Sequence, residues 1–454
     1  MPLKPDLWKF RAFAISFSLA SLAFWILGAA PAAMSPDSLE SWRQIKVWEF
    51  WDGHPVVFTL WLWVTSLFGK SIFLAAIIQG LLLFGSVFYL LFSTLKGRDW
   101  SVALLITGIL NFTPFIGQMG MTIWKDIPYV AFTLIGVIIY FSKLDSLKIK
   151  LLGLALFSFG ALMRHDGILF ALMIYTIMFC FRIVKFRGNK IATARISLEL
   201  IVSLLIIYGL SSIVPSLMNA SPVTQTQSTY PLMHDIAYVY SQNSEELPKS
   251  VSEQMQIIVS GESLAGARNC GRVDDMIMSP GYNAPYIDRN PGIVLDMWLQ
   301  SFRSSAFNEM LYVHFCRAKA YLPGFLPETY VWTYLAIDQN QLGLEHYKST
   351  SKFLSLAATW SDKWSSIGRG LAHPGTWASV SLLSLIYFRK RYGHILTAVL
   401  AAGVIKNLQN LIYTTGPYYR YGLLTQITGL LGLSLFIDYQ IKYRIKKNQS
   451  RKHK

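Results

Sequence analysis

The sequence predicts an all-α integral membrane protein with about ten transmembrane helices, an outer interfacial helix and one mainly helical extracytoplasmic domain. Three observations carry that expectation. The 454 residues are 53% hydrophobic and only 15% charged, with a mean hydropathy of +0.38, which places the chain in the membrane class. Apolar runs recur near the length of about 20 residues that spans about 30 Å of hydrocarbon. The net charge of +16 sits in short segments between those runs, not on a soluble face, which argues against nucleic acid as a partner.

Ten runs qualify, at residues 10–30, 71–94, 100–118, 127–143, 150–164, 167–184, 196–216, 371–388, 393–413 and 421–438. Basic residues set their orientation. One side collects Lys4, Lys9 and Arg11, then Lys96 and Arg98, then Lys143, Lys148 and Lys150. It also takes the five between Arg182 and Arg195, Arg389 to Arg391, and seven from Lys442 to Lys454. The short loops opposite hold only Arg43, Lys46, Lys70, Lys125, Arg164 and Arg420. Both termini are therefore expected in the cytoplasm.

The elements between the spans follow from the same count. His54 to Gly69 is apolar but short, and counting it as a span would move Lys96 and Arg98 outside. It is expected to lie at the outer interface, where Trp61 and Trp63 are at home. The fifth span has only 13 apolar residues, Leu151 to Met163, so either the bilayer thins there or Arg164 to Asp166 lies in a polar cavity. Ala30-Pro31-Ala32 resembles a signal-peptide cleavage site, but the apolar stretch before it is longer than a signal core. The long segment 218–370 carries 14 acidic and 11 basic residues, unlike the basic loops, and long translocated segments escape the charge rule. The expected division is 1–217 for an N-terminal transmembrane module, 218–370 for the extracytoplasmic domain and 371–454 for C-terminal helices and a basic tail. Cys270 and Cys316 are the two cysteines of the outer segment, and an oxidising compartment permits their pairing.

Polar clusters gather on the outer side: Asp37, Glu40 and Arg43; Asp52 and His54; Lys125 and Asp126; Arg164, His165 and Asp166; and Tyr418 to Tyr421 around Arg420. Taken singly, each reads as an interfacial helix, an Asp-Gly turn or a span end with snorkelling charges. Together they read as a site, because ionisable groups near a membrane are costly and usually have a function. Lys406, well inside the ninth span with Asn407, Gln409 and Asn410, fits either a hydrogen-bonded helix contact or a grip on a lipid. Glu199 is expected to neutralise Arg195.

The motifs Asp37-Ser-Leu-Glu40, Asp52-Gly-His54-Pro55, Lys125-Asp126-Ile-Pro128 and Arg164-His165-Asp166-Gly167 resemble, in this order, the GT-C superfamily of multi-pass glycosyltransferases. The likeness covers mainly residues 1–170, with Tyr418-Tyr-Arg420-Tyr a looser match; Asp52 departs from members that hold Asn or another polar residue there. The resemblance implies a polyprenyl-phosphate-linked sugar donor and a glycan, lipid or protein acceptor, with Asp37 as the base. Glu40 and Asp52 are the other candidate acids. Lys125, Arg164, His165 and Arg420 are the candidates for the donor phosphate, and His54, Asp126 and Asp166 for positioning. The chemistry asks for these types, since a carboxylate takes the proton of the acceptor hydroxyl and cations stabilise the departing phosphate. A polymerase or ligase using a lipid diphosphate-linked glycan would share this layout. A transporter or lipid flippase would place its charges nearer the midplane. No glycine-rich phosphate loop, Cys/His spacing or HExxH occurs; Asp37 with Asp52 is the one pair open to a divalent cation.

Overall fold

The structure is a computed structural model that describes residues 5–94, 100–142, 146–185, 189–322, 335–367, 373–388, 394–416 and 419–452. Its N-terminal half holds α1 (Pro5–Ala29), α2 (Pro36–Val47), α3 (Val56–Thr65), α4 (Ile72–Thr94), α5 (Trp100–Phe112), the short α6 (Met119–Met121), α7 (Asp126–Tyr140), α8 (Leu147–Ala161), α9 (His165–Lys185) and α10 (Lys190–Leu217). Next come α11 (Gln225–Gln242), α12 (Lys249–Ile258), α13 (Gly261–Ala267), α14 (Asp274–Ile277), α15 (Ala284–Arg289), α16 (Ile293–Phe302) and α17 (Phe307–Ala318). The chain closes with α18 (Ser351–Ile367), α19 (Pro374–Phe388), α20 (His394–Ile412) and α21 (Leu423–Lys452). Only isolated bridges pair extended residues among those described. The chain is an all-helical membrane protein.

A helix stands at each of the ten expected positions. Five are long and apolar enough to cross a bilayer, at Leu7–Ala29, Ile72–Thr94, Lys190–Leu217, His394–Ile412 and Arg420–Ile437, and a sixth is added if one bent pair counts as a span. That pair is where the structure departs from the straight run expected over 100–118. The chain turns by 84° between Trp100–Phe112 and Pro114–Met121. Pro114 has no N–H to continue α5 and pushes Thr113 into an extended conformation (φ −74°, ψ 141°). The carbonyls freed at the end of α5 find tryptophans: Trp25 Nε1 donates to Asn111 O at 2.7 Å and Trp360 Nε1 to Phe112 O at 3.0 Å.

One apolar core joins α1–α10 with α20 and α21. A second core, built on Met233, Ile236, Val251, Met255, Ile258 and Met297, belongs to α11–α17. Residues 335–367 pack on the first core instead. Ala357 sits against Gly28 of α1 and Trp360 against Phe112 of α5, and Met34 pairs with residues 336 and 338 through N–H to O bonds of 2.9 and 3.1 Å. Cys270 and Cys316 form a disulfide with Cα atoms 5.7 Å apart, and closing a loop of 46 residues stabilises α11–α17 by about 4 kcal/mol in the chain-entropy model. At the far ends of α8–α10, the buried Glu199 is ion-paired with Arg182 and with Arg195, the latter at 3.3 Å, and Lys150 donates to Ser142 O at 2.9 Å. Cys180 is exposed on α9.

Candidate active site

Local sequence places the acids of the site. Pro36 occupies the first turn of α2, where its missing N–H costs nothing, and Asp37 follows it. Asp126 opens α7 and Asp166 lies in the first turn of α9. Carboxylates are favoured at such helix N-termini because the backbone presents unsatisfied N–H groups and a positive dipole end. Asp52 serves a helix as well: its Oδ1 accepts the Val56 N–H at 3.0 Å as α3 begins.

Backbone pairing then brings these turns together. Ala33 N donates to Met121 O (3.1 Å) and Ile123 N to Ala33 O (3.0 Å), so the segment before α7 runs beside the segment before α2. Ser38 Oγ donates to Ile123 O at 2.5 Å and Trp124 Nε1 to Ser35 Oγ at 2.9 Å. Lys125 is thereby fixed next to Asp37. Gly167 lets α9 start hard against α8, since a Cβ there would lie 2.2 Å from Ala161 O.

Asp37, His54, Lys125, Asp126 and Arg420 line one cleft with Ser41 and Trp124. Arg420 Nη2 donates to Asp37 Oδ2 at 3.3 Å, and the Asp37 side chain is still 40% exposed. Lys125 Nζ donates to His54 Nδ1 at 3.1 Å. An ammonium can only donate, so neutral His54 carries its proton on Nε2, which lies 4.0 Å from Asp37 Oδ1. Arg420 is stacked between Trp124 and Tyr421, with its guanidinium carbon 4.9 and 5.2 Å from the ring centroids. Asp126 is ion-paired with Arg164 through Oδ1, while its buried Oδ2 has no hydrogen-bond partner among the described residues.

Charge follows geometry here. Burial works against the Asp37 carboxylate, but Arg420, His54 and Lys125 outweigh it and hold the carboxyl well below its usual range. Burial and the Lys125 ammonium pull His54 down to about 4, so the ring is neutral at pH 7. Burial also lowers Lys125, against the pull of Asp37. Burial raises Asp52.

The other expected residues take different places. Arg164 is buried beneath the cleft and committed to Asp126 and to Asp166, whose Oδ1 is 2.6 Å from Nε; its guanidinium carbon lies 4.4 Å from the Tyr421 ring centroid. Glu40 faces Arg43 and Gln44. His165 is exposed and donates from Nε2 to Asp52 O at 2.6 Å, at the margin of the cleft. Tyr418 lies outside the described residues. Lys406 resolves as a helix-to-helix tie: its Nζ donates to Asp166 Oδ2 (2.8 Å) and Gln409 Oε1 (2.9 Å).

Sequence reasoning missed the groups that hold the Arg420 loop. Asn407 Nδ2 donates to Tyr321 O and Asn410 Nδ2 to Tyr421 O, at 2.8 and 3.1 Å. Arg317 Nε reaches Thr414 O at 3.3 Å and Val273 N reaches Thr415 O at 3.2 Å, tying the loop to α17 and to the start of α14. The only sequence signal was the polar run from Lys406 to Asn410. Among the described residues no group of three or more His, Cys, Asp or Glu side chains is placed to hold a metal ion.

No family model matches the chain, and no curated protein matches it either. Among solved structures it is similar to ArnT from Cupriavidus metallidurans in the apo state, with a TM-score of 0.34 and 12% identity over 92% of this chain and 77% of that one. It is likewise similar to the same protein bound to undecaprenyl phosphate, with a TM-score of 0.31 and 14% identity over the same shares.

Proposed function

We propose that this chain is a membrane glycosyltransferase of the GT-C kind. It moves a sugar from a polyprenyl-phosphate carrier to a hydroxyl of a glycan, lipid or protein acceptor, at the extracytoplasmic face of a bacterial inner membrane. The observation that carries this reading is that two cations, Lys125 and Arg420, line one cleft with the Asp37 carboxylate, where α2 and α7 begin. Arg420 is shared with Asp37, and Lys125 donates to a neutral His54, so both can turn to a singly charged phosphodiester.

The arrangement supports a single inverting displacement. The acceptor oxygen attacks the anomeric carbon, its proton passes to Asp37, and the bond from that carbon to the phosphate oxygen breaks with its electrons on the phosphate. Lys125 and Arg420 face the charge that develops there. Asp37 alone is a weak base because Arg420 holds it ionised. A donor phosphate that engages Arg420 removes part of that hold and raises the basicity of Asp37 when it is needed. His54, with Nε2–H toward Asp37, positions the carboxylate. Arg164, tied to Asp126 and Asp166, positions the floor. The unpartnered Asp126 Oδ2 is an acceptor for a substrate hydroxyl.

Mass spectrometry of carrier lipids and surface glycans from cells with and without the protein tests the reading. Loss of the protein should leave a glycosylated polyprenyl phosphate accumulating and a glycan, lipid or protein short of that sugar. Unchanged carrier lipids and acceptors would contradict it.

A further inference from the structure

A second cleft, of about 530 Å³, opens between the end of α2 and the end of α10, lined by Trp48, Glu49, Phe50, Met218, Asn219 and Ser221. Its size suits a small ligand. The backbone of its wall runs directly to the margin of the first cleft: Ser221 N donates to Phe50 O at 3.0 Å, and Asp52 N donates to Ser221 O at 2.8 Å. Asp52 is the residue whose carbonyl receives His165.

Two residues on opposite walls adopt a left-handed backbone, Trp48 at φ 60° and Asn219 at φ 49°. Asn tolerates that conformation, but for tryptophan it is a costly outlier. Burial does not compensate, since Trp48 is 52% exposed. Its ring packs at steep angles against Phe50 and Trp63, with centroids 5.0 and 5.3 Å away, and half of the residue stays open. Beside it, Glu49 is exposed, and the charge that it acts on is the Arg43 guanidinium.

An indole face, a carboxylate, an amide and a hydroxyl in one cleft match the two sides of a pyranose. Ring C–H groups carry partial positive charge toward the negative face of the indole, and hydroxyls bond to carboxylate and amide. A lipid headgroup fits less well, because Glu49 repels its phosphate. We propose that this cleft binds a pyranose unit of the acceptor, with Trp48 as the stacking platform and Glu49 and Asn219 as hydrogen-bonding partners, which makes the acceptor a glycan. The proposal rests on the transferase reading above and narrows it.

Saturation-transfer NMR on the full chain in nanodiscs tests it, using the methyl pyranosides of glucose, galactose and mannose as probes. At least one probe should receive saturation from wild-type protein. Trp48→Ala and Glu49→Gln should each weaken that signal by about tenfold, while Trp48→Tyr retains most of it. Glu49→Gln is the control for folding, because Glu49 is exposed and the substitution keeps its size. No signal from any probe, or wild-type signals from both Trp48→Ala and Glu49→Gln, would overturn the proposal. Saturation that passes only to lipid acyl protons would make Trp48 a bilayer anchor and overturn it as well. Asp37→Asn separates the two readings. Probe binding with transfer lost supports both, and probe binding with transfer intact sinks the catalytic centre alone. No probe binding while wild-type protein still transfers sugar sinks the cleft alone.

Discussion

Asp37 and Arg420 are 383 residues apart in sequence and 3.3 Å apart in the fold. Their meeting explains why a carboxylate in a half-open cleft stays ionised, and why a phosphate would compete for its partner. Arg420 is held by two rings as well as by Asp37, so a smaller cation cannot replace its planar stacking. Arg420→Ala is expected to weaken donor binding by about 1.5–3 kcal/mol, the worth of a charge-assisted hydrogen bond, and to slow transfer too. Arg420→Lys should recover only part of both. Binding of a polyprenyl phosphate in nanodiscs checks this, and unchanged affinity in Arg420→Ala would remove the residue from the phosphate site. The motif residues were legible because each is a charged outlier in apolar sequence. Their partner Trp124 was not, because an aromatic at a span end looks like ordinary interfacial packing.

At the level of elements, the site exists because helices begin where other helices end. Gly167 shows how little slack there is: its missing Cβ leaves room for Ala161 O. Gly167→Ala should push α9 from α8, cost about 1–3 kcal/mol as overpacking does, and loosen the Arg164–Asp166 pair. Thermal unfolding in detergent reads the first effect and single-turnover transfer the second. The outer helices carry their own switch. Burial and Arg317 lower His234 to about 3, and Arg317, fully buried, donates to its Nδ1 at 2.9 Å while ion-pairing with Asp235. The unfolded chain therefore binds more protons at this position between pH 6.5 and about 3. Stability from His234 is full above 6.5 and falls through that window by up to about 1.4 kcal/mol per pH unit. Hydrogen-exchange protection over residues 225–318, corrected for the intrinsic rate at each pH, should fall from pH 7.5 to pH 5, and His234→Gln should flatten the fall. A fall of equal size in that variant would assign it elsewhere. Helix order was legible from apolar run length, whereas the bend after Phe112 was not, because Pro114 sits in a run that stays apolar on both sides.

Across the whole molecule, two polar ends stand apart: the Asp37 cleft at one, and Glu199 with Arg182 and Arg195 at the other. In the orientation proposed from the charge asymmetry of the loops, the Glu199 end faces the cytoplasm. In a Cys180→Ser background, Asn189→Cys should label only from the cytoplasmic side and Ser250→Cys only from outside; labelling of position 189 from outside would invert the orientation. The outer domain was legible as helical from its spacing and punctuation. Its grip on the Arg420 loop was not, since contacts such as Arg317 to Thr414 join residues 97 apart through a backbone carbonyl. The central claim is that the Asp37 cleft transfers sugar from a lipid phosphate, and one measurement bears on it most directly. Single-turnover transfer from a radiolabelled polyprenyl-phosphate sugar is followed for wild-type and Asp37→Asn protein, with donor binding measured alongside. Asp37→Asn protein is expected to transfer at a rate lower by about 100-fold or more with donor still bound. Asp37→Asn protein that transfers at the wild-type rate would contradict it.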